Sequence, residues 1–110
     1  MKDIFKSSLL YDFYGELLTE HQKEVYEDFI LNDLSLGEIA QERGISRQGV
    51  HDLVKRCDKL LAGYEEKLHL VERFCEAKED VKEICRLADD DSRSNLKEIK
   101  KIALKILENY

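Results

Sequence analysis

A short polar segment near the middle of the chain carries side chains that suit contacts with nucleic acid. Its sequence is SRQGVHDLVKR, residues 46–56. Arginine pairs well with guanine and glutamine with adenine, so Arg47 and Gln48 are the side chains suited to base edges. Hydroxyl, ammonium and guanidinium groups bind phosphate oxygens. The candidate DNA-binding residues are Ser46, Arg47, Gln48, His51, Lys55 and Arg56.

The residues before this segment supply a turn that would present it. The stretch SLGEIAQERGISRQGVHDLVKR, residues 35–56, predicts two helices separated by Gly44, because glycine readily adopts the left-handed backbone that follows a helix end. Ala40 is the small residue that lets a second helix cross the first closely. The spacing therefore predicts a helix-turn-helix whose second helix is capped by Ser46. The residues expected to lock the pair are Ile39, Ile45, Val50 and Leu53.

Helical signals also cover the rest of the chain. The 110 residues include no proline and five glycines, so strong helix breakers are rare. Thr19 with Gln22, and Ser35 with Glu38, have the spacing of a capping box, in which each side chain satisfies a free backbone donor of the other. These features predict an all-α fold.

A long helical extension is predicted after the helix-turn-helix. Apolar residues at helical spacing run from Val50 to Cys75, which indicates one long helix with Gly63 as its weakest point. The apolar stripe that these residues form is wide, which predicts packing against more than one neighbouring helix. Cys57 and Cys75 lie on this stripe and are expected to be buried. We place a helix-turn-helix domain at residues 1–62 and a helical extension for packing or dimerisation at residues 63–110.

Two further helices are expected in the extension. One carries Val81 to Ala88, and the sequence DDDS at 89–92 indicates a turn and the start of the last helix. The apolar stripe from Val50 to Cys75 needs cover, because an exposed apolar stripe of this length is unusual on a monomer. We therefore expect a homodimer, with a monomeric bundle closed by its own last helix as the alternative. The last helix should bury Leu96, Ile99, Ile102, Ala103, Ile106 and Leu107.

The charge balance leaves a second interpretation of the polar helix open. The chain has a net charge of -6, and residues 1–56 hold seven Lys or Arg against eleven Asp or Glu, a net charge of -4. DNA binding depends on neutralising phosphates, which an acidic domain opposes outside a local basic patch. The outward polar side chains are therefore also consistent with an ordinary solvated helix face. In that case the chain would be an acidic module that binds a basic partner.

Other functional classes lack their characteristic residues. Three cysteines without paired spacing predict no disulfide framework, and the separated histidines predict no metal site. No catalytic constellation or cofactor motif is present, so we expect neither an enzyme nor a cofactor. The absence of a signal peptide and of a long apolar run predicts a cytoplasmic protein without a membrane span. The carboxylates on the early helix faces are attributed to solubility: Glu16, Glu20, Glu24, Glu27 and Asp28.

Three phrases of the sequence resemble one known family. LLYDFYGELLT, SLGEIA and SRQGVHDLVKR, which together cover most of residues 8–56, are similar to the YlxM family, also described as p13-like or UPF0122. Residues 57–110 resemble it more weakly, by their long-helix character. The resemblance implies an all-α fold in which a helix-turn-helix like that of sigma-70 region 4 carries a long helical C-terminal extension.

The resemblance also implies two functional expectations. The first is a DNA-binding regulatory protein linked to the signal recognition particle pathway, because family members are typically encoded beside genes of that pathway. The alternative is an interaction module without DNA binding, whose partner is a protein or ribonucleoprotein component of the signal recognition particle. The resemblance supplies no catalytic residues.

Overall fold

The computed structural model describes residues 4–89 and 93–109, and these residues contain helices but no strand. The predicted all-α fold is confirmed. The elements are α1 (Ile4–Tyr14), a short 3-10 turn (Gly15–Leu17), α2 (Glu20–Ile30), α3 (Leu36–Arg43), α4 (Arg47–Leu68), α5 (Leu70–Ala88) and α6 (Ser94–Asn109).

Local capping accounts for where α2 and α3 begin. Thr19 Oγ1 accepts a hydrogen bond from the Gln22 backbone N–H at 3.2 Å, and Gln22 Oε1 accepts one from the Thr19 N–H at 3.0 Å. Ser35 and Glu38 repeat the arrangement, at 3.1 and 3.0 Å. Both predicted capping boxes are confirmed, and each satisfies backbone donors that the first helical turn leaves without a partner.

The chain divides into two compact units, Met1–His69 and Leu70–Tyr110. In the first unit α4 packs against α1, α2 and α3. The boundary that we predicted between residues 62 and 63 falls inside α4. The buried hydrophobic residues of this unit are Leu10, Tyr14, Leu18, Val25, Tyr26, Ile30, Ile39, Val50, Val54, Cys57 and Leu61.

Two tyrosine–carboxylate hydrogen bonds connect α4 to the helices behind it. Tyr26 Oη donates to Asp58 Oδ1, and Tyr14 Oη donates to Glu65 Oε1, each at 2.6 Å. Both tyrosine rings are buried, so each contributes apolar contact area and one polar bond at its tip. Burial raises the pKa of Tyr26. These bonds fix the rotation of α4 about its axis, and hence the direction in which its opposite side faces.

The long helix ends earlier than we expected. The prediction of one helix through Cys75 is wrong, because α4 ends at Leu68 and α5 begins at Leu70. His69 has left-handed backbone, with φ of 57°, and its N–H donates to the carbonyl of Glu65. This is a helix end of the αL type without the usual glycine. The helix passes through Gly63 without a break.

The second unit is a helical hairpin made of α5 and α6. None of the six α6 residues expected to be buried is buried, and Leu96 and Leu107 are strongly exposed. A single neighbouring helix can cover only part of an apolar surface this wide. Cys75 is exposed, which corrects its expected burial, whereas Cys57 is buried as predicted. Most of the turn predicted at 89–92 lies outside the described residues.

The sequence predicts that no helix spans a membrane. No helix in the described part of the chain combines the length and the apolar character that crossing a bilayer requires.

Candidate nucleic-acid interface

The turn between α3 and α4 has the geometry that its sequence predicts. Gly44 adopts φ of 68° and ψ of 32°, and its N–H donates to the carbonyl of Ala40. The Ile45 N–H donates to the same carbonyl at 3.1 Å. Ile39 on α3 and Val50 on α4 are fully buried. The two helices are therefore closely packed and sharply separated, as a helix-turn-helix requires.

The start of α4 differs from the starts of α2 and α3. Ser46 caps it, with Oγ accepting a hydrogen bond from the Gly49 N–H at 2.9 Å. No acidic residue lies in the first turn of α4, whereas Glu20 and Glu38 occupy the first turns of α2 and α3. Arg47 instead stands at the positive end of the helix dipole, where an anion is favoured. A phosphate would supply the missing negative charge, and the Ser46 hydroxyl proton is still available to it.

The predicted contact residues lie together on the outward side of α4. Arg47, Gln48, Lys55 and Arg56 are exposed, and His51 is partly exposed. The core residues Val50, Val54, Cys57 and Leu61 occupy the opposite side of the same helix. The structure thus places five of the six predicted residues on α4, with Ser46 as its N-cap.

An acidic side chain lies within this surface. Gln48 Nε2 donates to Asp52 Oδ1 at 2.9 Å, and His51 Nδ1 lies 3.5 Å from the same oxygen. The amide of Gln48 must therefore exchange Asp52 for a base before it can make the predicted adenine contact. The bond is exposed to solvent, so the exchange costs little.

Two groups of cations in the first unit differ in their partners. Lys23 pairs with Glu16 and Glu20 at 3.2 and 3.6 Å, and the hydrogen bond to Glu16 contributes most to raising its pKa. Arg43 pairs with Asp28 and Glu24 at 2.9 and 3.2 Å, and its pKa is raised chiefly by the hydrogen bond to Asp28. Both cations are neutralised locally and serve the fold.

The second group lies on the exposed side of α4. Within the described ranges, no ion pair engages Arg47, Lys55, Arg56 or Lys59. The acidic net charge of the chain is therefore an average, and these four cations form a local basic surface on one helix.

Lys59 is the member of this surface that our sequence interpretation missed. It lies one helical turn after Lys55 and three residues after Arg56, and all three line one open depression together with Asp52 and Asp58. The signal was present in this spacing, since residues four apart lie on the same face of a helix. The segment predicted from the sequence ends at Arg56, one turn too early to include Lys59.

Comparison with known proteins gives a consistent result along the chain. Residues 1–105 match the family model described as "Putative helix-turn-helix protein, YlxM / p13 like", UPF0122. A UPF0122 protein of Desulforamulus reducens is 43% identical over 112 residues, covering 98% of this chain and 96% of that protein. One of Clostridium novyi is 42% identical over 109 residues, covering 99% and 95%. One of Caldanaerobacter subterraneus is 50% identical over 82 residues, covering 74% and 70%.

These matches extend beyond the helix-turn-helix into the helical hairpin. The family model covers nearly all of the chain, and the alignments with the Desulforamulus and Clostridium proteins span both compact units. The resemblance first noted in residues 8–56 therefore applies to the whole architecture, and the chain belongs to the UPF0122 family of YlxM/p13-like helix-turn-helix proteins.

Proposed function

We propose that this protein binds double-stranded DNA by placing the first turns of α4 in the major groove. The observation that carries the proposal is the basic surface of Arg47, Lys55, Arg56 and Lys59, which no ion pair engages within the described residues. An exposed set of cations on the second helix of a helix-turn-helix is the arrangement that groove binding uses.

Each part of the surface has a separate role in this proposal. Arg47 and Gln48 lie in the first turn, which is the part of a recognition helix that reaches base edges. Ser46 and the free N–H groups of that turn suit a backbone phosphate. Lys55, Arg56 and Lys59 lie one to three turns later, where they would bind phosphates and set the position of the helix.

The acidic remainder of the chain limits where DNA can bind. With a net charge of -6, the chain repels a phosphate backbone except where the α4 cations dominate locally. We therefore expect binding through a single surface, with a strong dependence on salt.

Titration of a fluorescent DNA duplex at low salt tests the proposal. Arg47→Ala should weaken binding by about 1–3 kcal/mol and relax base preference, whereas Lys55→Ala should weaken all sequences alike and reduce the salt slope by about 1. Lys67→Ala is the matched control, because it removes one exposed cation from the last turn of the same helix. Equal affinities of all three variants and the wild type would refute binding through α4.

Two finer parts of the proposal rest on the family resemblance. The first is that the bound DNA is a regulatory site. The second is that the regulated process belongs to the signal recognition particle pathway. Selection of bound duplexes from fragmented genomic DNA tests both, since recovered fragments should concentrate upstream of genes for that particle.

An apolar groove favours a second candidate function, the binding of a protein segment. The groove has a volume of about 720 Å³, and its walls include Phe29, Leu34, Leu36 and Val54. Asp33 and Glu38 also line it, together with His51 and Lys55 of the proposed DNA-binding surface. An amphipathic helix with basic flanks is the kind of ligand that such a groove accepts.

For this second candidate function, we propose the protein component of the signal recognition particle as the partner. Titration of that purified protein onto the full chain is the direct test. Leu34→Glu should abolish the interaction and weaken DNA binding only slightly, because Leu34 lines the groove outside α4 but the groove also includes Lys55 of the basic surface. Leu31→Glu, at an exposed leucine outside the groove lining, is the matched control. Binding that survives Leu34→Glu would exclude the groove.

A further inference from the structure

The two helices of the second unit run in opposite directions. Asn95 Nδ2 donates to the carbonyl of Leu87 at 3.1 Å, and Lys105 Nζ donates to Asp80 Oδ1 at 3.1 Å. Moving forward along α6 therefore corresponds to moving backward along α5. These contacts also identify the side of each helix that faces the other.

Exposed apolar residues form a stripe on each helix beside this contact side. On α5 the stripe is Phe74, Val81 and Cys85, spaced by seven and four residues. At about 100° per residue these positions lie within about 40° of arc, rotated by about 100–160° from Asp80 and Leu87. The stripe is therefore distinct from the surface that α6 covers.

The α6 stripe has the same relation to its own contact side. It consists of Leu96, Leu104 and Leu107; Leu96 and Leu107 are rotated by about 100–120° from Asn95 in the same sense, and Leu104 lies about 60–80° further round. Because the helices are antiparallel, equal rotations bring both stripes to the same side of the hairpin. We call this surface the hairpin face, and define it as Phe74, Val81, Cys85, Leu96, Leu104 and Leu107.

We propose that the hairpin face binds the hairpin face of a second copy, forming a four-helix bundle. The side chains of the face retain a large exposed fraction, from 43% at Phe74 to 75% at Leu107. Val71 and Leu87 are the buried hydrophobic residues among those described in this unit. A unit of about 40 residues with so small a core usually depends on oligomerisation.

The dimensions of the face match those of a dimer interface. The 16 residues of α6 span about 24 Å at 1.5 Å per residue. Two helices about 10 Å apart give a face roughly 20 Å wide, hence about 500 Å² of flat area on each copy. Accessible area exceeds flat area, so two such faces approach the ~1,200–2,000 Å² that specific interfaces bury.

Lysines flank the face and predict how salt affects the association. Lys78 borders the α5 stripe, Lys100 lies between Leu107 and Leu104 around α6, and Lys97 lies at the edge of the α6 stripe; among the described residues no ion pair engages these three lysines. Their aliphatic stems can extend the apolar contact while the ammonium groups stay in water. In a dimer these like charges approach each other, so added salt should strengthen the association. An acidic occupant would show the opposite dependence.

Sedimentation equilibrium of the full chain tests the inference. The wild type should have twice the chain mass, with the dimer fraction rising with salt. Val81→Lys and Leu104→Lys should each give monomers with unchanged helical circular dichroism. Leu17→Lys, at an exposed leucine of the first unit, should remain dimeric. A monomeric wild type, a dimer weakened by salt, or a dimer unaffected by both face substitutions would overturn the proposal.

The two exposed cysteines of α5 provide a second readout. Cys85 belongs to the hairpin face, whereas Cys75 lies outside it on the same helix, and both are exposed in a single copy. In the wild type Cys85 should be alkylated several-fold more slowly than Cys75. In Val81→Lys the difference should disappear. Equal alkylation rates in the wild type would contradict burial of this face by a second copy. This inference does not depend on the proposed DNA binding.

Discussion

The side-chain amide of Gln48 donates a hydrogen bond to Asp52 across one turn of α4, with 2.9 Å between nitrogen and oxygen. The bond links a predicted base-reading residue to the acidic residue within the basic surface. In the unbound chain Asp52 orders Gln48 and reduces the local positive charge. In a complex the carboxylate would stand near phosphates and weaken binding.

Asp52→Asn should therefore tighten DNA binding, by about threefold at low salt and by less as salt screens the charge. The measurement is a duplex titration at several salt concentrations. Asp12→Asn removes the same charge from an exposed position on α1 and should have a smaller effect. Equal gains from both variants would mean that only net charge matters, and a loss of affinity in Asp52→Asn would contradict the proposed surface.

Substitution of two glycines should change stability in opposite directions. Gly44 has positive φ and no heavy atom within 4 Å of an added Cβ, so Gly44→Ala loses about 1–2 kcal/mol through backbone strain alone. Gly63 lies inside α4 with equally open surroundings, so Gly63→Ala should gain about 1 kcal/mol. Urea unfolding measures both. A shift of the same sign in both variants would contradict the turn geometry at Gly44.

Loss of the Tyr26 hydroxyl should weaken the attachment of α4. Tyr26→Phe removes the donor to the part-buried Asp58 and should cost about 1–2 kcal/mol of unfolding free energy. Tyr64→Phe is the matched control, since no hydrogen bond to the Tyr64 hydroxyl is recorded among the described residues. If the two variants are equally stable, the bond to Asp58 does not contribute to stability.

Alkaline pH should destabilise the fold partly through Tyr11. Burial, reinforced by the Glu27 carboxylate, raises the pKa of Tyr11 from 10.0 to about 12. Because the folded chain holds this proton more tightly than the unfolded chain, its contribution is complete below pH 10 and is lost as the pH rises toward about 12. Unfolding midpoints measured across this window should fall less steeply in Tyr11→Phe. Identical slopes would show that the phenol is not linked to folding.

Local signals explain why most helix ends could be predicted. The capping boxes at Thr19 and Ser35 and the turn at Gly44 depend on residues within a few positions of each other, and the structure contains all three. The end of α4 at His69 has no such signal, because a histidine occupies the left-handed position that glycine usually fills. This is why one helix was expected where the chain forms two.

Burial and the composition of the site could be predicted only in part, because both depend on contacts between helices that are distant in sequence. The apolar period of α6 correctly predicts a helix, but burial depends on how many neighbours the helix has, and in its own unit it has one. The spacing of Arg47 to Arg56 predicts a shared outward side. It does not reveal that carboxylates of the 3-10 turn and of α2 neutralise Lys23 and Arg43, whereas no ion pair among the described residues engages the cations of the α4 basic surface. Only the fold shows this difference.

Mapping the DNA footprint on the isotopically labelled full chain by NMR tests the central claim most directly. A short random-sequence duplex added at low salt should shift the amide signals of residues 46–59 and leave those of α6 unchanged. That result would place DNA on the basic surface of α4. Shifts concentrated at Lys97, Lys100 and Lys101, or no shifts at all, would contradict recognition by the helix-turn-helix.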